Sequence, residues 1–137
     1  MPLKATIVSE QQITVPIPDS GGARTLLITT TGLMEIKLVV NNSQATESYS
    51  ALLKDPVPGQ FRRAIATASI AGIEYGLQTE LNNNDARWLI TNATAHLDDE
   101  TSRVELVVDV QVTATKATAM LINVGFQVTT YAAGAMA

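Results

Sequence analysis

The stretch Arg103-Val104-Glu105-Leu106-Val107-Val108-Asp109-Val110-Gln111-Val112-Thr113 decides the fold. Val104, Leu106, Val108, Val110 and Val112 alternate with Glu105, Val107, Asp109 and Gln111. One face is continuously apolar and the other mixed, the pattern of a half-buried strand. The same period of two recurs outward from it. Ile122, Val124, Phe126 and Val128 stand against Asn123, Gly125, Gln127 and Thr129. Met34, Ile36, Leu38 and Val40 stand against Glu35 and Lys37. Ile73, Tyr75, Leu77, Thr79 and Leu81 stand against Glu74, Gly76, Gln78 and Glu80. Ile13, Val15 and Ile17 make a shorter run broken by Pro16, which cannot donate to a ladder, so this strand belongs at an edge or partly off the sheet.

Turn residues punctuate these runs: Pro18–Gly22, Thr31-Gly32, Asn41–Ser43, Asn82–Asp85 and Thr115–Ala117. Asp98–Ser102 separates Trp88–Leu97 from Arg103–Thr113, which reads as a long β-hairpin. Ala45 to Lys54 has Tyr49, Leu52 and Leu53 at helical spacing, Thr46 as an N-cap and Asp55-Pro56 as a stop, so it reads as one short helix. Phe61 to Gly72 fits either a helix (Phe61, Ile65, Ala68) or a strand (Ile65, Thr67, Ser69, Ala71) in phase with Ile73; the Thr and Ser content favours strand. The sum is an all-β chain, an antiparallel β-sandwich or jelly-roll-like fold of about seven to eight strands. Residues 1–137 read as a single domain, with 1–12 as an N-terminal arm and 132–137 as a flexible C-terminal tail.

Composition narrows function mainly by exclusion. A chain of 137 residues buries enough core to fold without disulfide or metal. It has no cysteine and one histidine, which removes thiolate chemistry and Cys-ligated zinc. A pI near 4.8 and a net charge of −4 argue against nucleic acid. No apolar run reaches the ~18 to 20 residues of a membrane helix, and the N-terminus lacks a secretory pattern. Cytoplasmic synthesis is the expectation, with a virion as one destination. Charged residues are only 16% of the chain, against roughly 25% in ordinary soluble domains, and Thr, Ala, Ser, Asn and Gln take their place. Such a surface suits a subunit that covers part of it with neighbours.

Chemical motifs are sparse. His96 lies in the run before the acidic turn, in phase with Trp88, Ile90 and Thr94, and reads as a strand-end side chain rather than a catalytic base. Gly21-Gly22 and Gly72–Gly76 make no phosphate loop, and no cofactor is expected. Asp98, Asp99 and Glu100 offer carboxylates for calcium, with Asp109 on a neighbouring strand. Consecutive turn residues diverge, however, so no metal site is expected. Paired acids such as Glu74, Glu80, Glu105 and Asp109 are what any solvated β face carries.

Candidate contact residues are Trp88 with Asn83, Asn84 and Asp85 beside it, a sugar-stacking arrangement, and the basic pair Arg62 and Arg63. The latter follows the stiff loop Pro56-Val57-Pro58-Gly59. The expectation is a non-enzymatic structural subunit of a symmetric assembly, of the capsid-decoration, tail or surface-layer type. Its partners would be further copies of itself, as a trimer or other cyclic ring, or a larger protein shell. The alternative is a carbohydrate-binding, lectin-like module built on Trp88 and the Asn82–Asp85 loop.

Overall fold

The computed structural model describes residues 2–18, 24–40, 44–75, 86–114 and 118–133. Among the described residues it has eight strands: β1 (Leu3–Lys4), β2 (Thr6–Pro18), β3 (Arg24–Val40), β4 (Gln44–Leu52), β5 (Gln60–Tyr75), β6 (Ala86–Asp98), β7 (Arg103–Ala114) and β8 (Thr118–Ala133). They form two four-stranded sheets. Sheet A runs β1-β4-β7-β6 and sheet B runs β2-β3-β8-β5. β1 pairs with β4 in parallel; the other pairs are antiparallel.

The two most regular apolar runs lie at the centres of the two sheets. Val104, Leu106, Val108, Val110 and Val112 of β7 pack with Ile122, Val124, Phe126 and Val128 of β8, and Met34, Ile36 and Tyr49 join them in one core. Each fully buried Val, Leu or Ile contributes roughly 1.5–3 kcal/mol relative to an exposed one. The sandwich is closed on one side by Ala5, whose N–H donates to the Ser50 carbonyl (2.9 Å) as the chain passes from sheet A to sheet B. On the other side β5 lies against β6.

Several expectations change. Ala45 to Lys54 is not a helix: Gln44–Leu52 is β4, and no helix occurs among the described residues. Tyr49, Ala51 and Leu53 are buried at a period of two, and Thr46 pairs with Gln111 rather than capping a helix. The open edge of β7 outweighs the local helical spacing. Phe61 to Gly72 is strand, within β5, but its facing is the reverse of the sequence reading. Ala64, Ala66, Ala68 and Ile70 pack on the core, while Ile65, Thr67, Ser69 and Ala71 are exposed. A register shift between Ile70 and Gly72 then places Ile73 opposite the buried Ile122. The N-terminal arm is paired, Leu3–Lys4 with β4 and residues 6–12 with β3. Ala132 and Ala133, read as tail, belong to β8, and Ala132 is fully buried. Leu77 to Leu81, most of the Pro18–Gly22 turn, Asn41–Ser43, Asn82–Asp85, Thr115–Ala117 and residues 134–137 lie outside the described residues.

The register shifts share one property. They fall at Val8 in β2, at Arg62 and Ala71 in β5, and at Thr91 in β6, all of them edge strands. Bulges twist an edge out of line for further pairing. β2 is an edge, as Pro16 requires, and Pro18 shares its phase.

Candidate functional site: the outer face of sheet B

The outer faces of the two sheets differ in chemistry. On sheet A, β7 turns Arg103, Glu105 and Asp109 away from the core. Glu105 Oε1 lies 2.8 Å from His96 Nε2 across the hairpin, and Asp109 Oδ1 accepts a 2.5 Å hydrogen bond from Ser48 Oγ. His96 is out of phase with Trp88 and Ile90, because the register shift at Thr91 reverses the alternation between them. It is an exposed partner of Glu105 rather than a neighbour of Trp88.

Sheet B presents a different surface. Four strands in register build five rows across its outer face. These are Ile17-Thr25-Ala133-Gln60, Val15-Leu27-Tyr131-Arg63, Ile13-Thr29-Thr129-Ile65, Gln11-Thr31-Gln127-Thr67 and Ser9-Leu33-Gly125-Ser69. Within these rows Arg63 is the only charged residue. It stands at one margin, with its guanidinium 5.8 Å from the Tyr131 ring centroid. Large apolar side chains are solvent-exposed here: Ile13 68%, Ile65 44%, Leu33 37%, with Val15 and Ile17 beside them. A shallow hollow of about 410 Å³ opens among them, lined by Thr31, Thr67, Ser69, Gly125 and Gln127. Apolar side chains gathered at this density on one face, with so little charge, mark a contact surface rather than scattered exposure.

The candidates named from sequence lie elsewhere or only graze this face. Trp88 is 36% exposed at the open end of the β6–β7 hairpin, where it borders a groove of about 160 Å³ with Leu89, Gln111 and Thr113. Asn83, Asn84 and Asp85 lie outside the described residues. Arg62 is the extra residue of a bulge, and Arg63 marks the margin of the sheet B face. The Pro56–Gly59 loop is tied down: Val57 N–H donates to the Ser102 carbonyl (2.8 Å), and Lys54 N–H donates to the Glu10 carboxylate (2.9 Å). Asp98 Oδ2 accepts hydrogen bonds from Thr101 N (3.2 Å) and Thr101 Oγ1 (2.5 Å), so this carboxylate is engaged in its own turn. No group of three or more His, Asp or Glu converges on a common point among the described residues.

No motif in the sequence marks Ile13, Ile17, Leu33 and Ile65 as contact residues. The usable signal was apolar residues in both phases of one strand, as at Leu26-Leu27-Ile28 and Leu33-Met34. A strand buried on one side needs only one apolar phase. No helix is long and apolar enough to cross a membrane among the described residues. No family model, curated protein or solved structure matches the chain.

Proposed function

We propose that the protein is a non-enzymatic structural subunit that assembles through the outer face of sheet B. The observation that carries this reading is the five-row surface with a single charge, Arg63 at its margin, and exposed Ile13, Leu33 and Ile65. Leaving it in water forgoes a driving force of roughly 25 cal/mol for each Å² of apolar surface that a neighbour could cover. The low overall charge and the Thr-rich exterior support the same reading. The host assembly would be of the kind that uses small β-sandwich subunits, such as a virion decoration, tail or surface layer.

Two lysines test this reading. Ile13→Lys with Ile65→Lys places two hydrated charges on the face and touches no core residue. The double variant is expected to fold as the wild type does and to lose assembly in sedimentation. Full assembly by the double variant would refute the reading.

A further inference from the structure

We infer that the outer face of sheet B is covered by a second copy of this chain, packed face to face, and that the sheet does not extend by pairing at its edges. This rests on the assembly reading above and names its partner and geometry. Four strands about 4.8 Å apart and five rows about 6.8 Å apart give roughly 650 Å² on each copy, or about 1,300 Å² for the pair. That falls within the ~1,200–2,000 Å² of a stable interface. The five rows carry one charge, Arg63, and beyond them the same phase of β3 continues into Glu35 and Lys37, so there is no block of one sign to repel its own image. A single patch used by both partners closes at two copies.

The edges are built against the alternative. The β2–β3 register continues through Pro16–Leu26 and Pro18–Arg24, so the donors those prolines lack are missing from the open side of β2. Bulges at Val8, Arg62 and Ala71 break the line of the two sheet B edges. Thr91 does the same on β6 of sheet A. A partner adding as a strand would find an irregular, donor-poor template. A partner on the face finds regular rows.

Gly125 gives a variant that separates docking from folding. A Cβ there would find nothing nearer than 3.9 Å, at Leu33 Cδ2, Ala71 Cβ and the Ser69 carbonyl. Gly125→Leu therefore starts from an unobstructed Cβ, puts its branched side chain on the outer face at the hollow and blocks an opposing surface. The natural absence of cysteine makes thiol footprinting clean. Single-cysteine variants Thr129→Cys, central on the face, and Thr14→Cys, on the edge strand in the opposite phase, are treated with a maleimide at high and at low protein concentration. The expected result is a particle of twice 14.6 kDa at high concentration. In it Thr129→Cys reacts at least about tenfold more slowly than when diluted, and Thr14→Cys reacts equally at both concentrations. Adding Gly125→Leu removes the protection and gives, at either concentration, the melting temperature of the diluted, monomeric parent. An assembly in which Thr14→Cys is protected and Thr129→Cys is not overturns face packing and moves the contact off the outer face of sheet B, while sparing the wider reading of a subunit that assembles. A 14.6 kDa monomer at every concentration overturns both.

Discussion

The ring of Phe126 fills the place above Gly32 where a side chain would stand. A Cβ on Gly32 would come within 2.8 Å of Phe126 Cζ and 2.1 Å of the carbonyl oxygen of Ser9, the residue that follows the β2 bulge. Gly32→Ala must therefore move backbone as well as a ring. It is expected to cost about 1–3 kcal/mol or more in a urea melt. Gly125→Ala, whose Cβ would meet only ordinary contacts at 3.9 Å, is expected to be neutral or to stabilise by up to ~1 kcal/mol.

Val108 and Asp109 test the facing of β7. Val108 is wholly buried in the core, whereas Asp109 faces out and accepts the Ser48 hydroxyl. Val108→Asp is expected to unfold the protein, because an unpaired buried carboxylate consumes much of the ~5–15 kcal/mol of a domain. Asp109→Ala should cost only about 1–2 kcal/mol for the lost charge-assisted bond, and Ser48→Ala a similar amount, in denaturant titrations.

Tyr49 is buried, and its hydroxyl has no hydrogen-bond partner among the described residues. Burial, with a smaller contribution from Glu47, raises its pKa above the usual value near 10. A raised acid pKa means the folded state resists ionisation. The stability is intact below about pH 10 and falls as pH rises through the folded-state pKa. Tyr49→Phe is expected to stabilise by up to about 1 kcal/mol at pH 7, and to flatten the loss of stability above pH 10 in melts taken across that range.

Folding is expected to be independent of divalent metal. Asp98 is engaged by Thr101 within the hairpin turn. Thermal melts with and without EDTA should coincide, and a shift of more than a few degrees would contradict this. In the same turn Ser102 has φ 58°, a left-handed conformation unfavourable to serine. Ser102→Gly should stabilise by about 0.5–1 kcal/mol in the same assay.

How much of this was legible in the sequence depends on the position of each strand within its sheet. β7, β8 and the readable half of β3 are central and uninterrupted, so a period of two identified Val104 to Val112, Ile122 to Val128, and Met34 with Ile36 as core. β5 and β6 are edges with an extra residue at Ala71 and Thr91, and one extra residue reverses every facing beyond it. Alternation alone therefore puts Ile65 in phase with Ile73 and His96 in phase with Trp88, and the extra residues undo both. Tyr49, Leu52 and Leu53 satisfied a helical spacing, and only the partner strand β7 decides against it. The sheet B face was hidden for a further reason. Ile13, Thr29, Thr129 and Ile65 are far apart in the chain, and alternation does not say which strands become neighbours.

Sedimentation equilibrium of the wild type beside the Ile13→Lys/Ile65→Lys variant tests assembly through this face most directly. The expected result is a wild type heavier than the 14.6 kDa protomer, and a variant at 14.6 kDa with an unchanged far-ultraviolet spectrum and the melting temperature of the wild type diluted to its protomer. A wild type that remains at 14.6 kDa at high concentration, or a folded variant as heavy as the wild type, would contradict it.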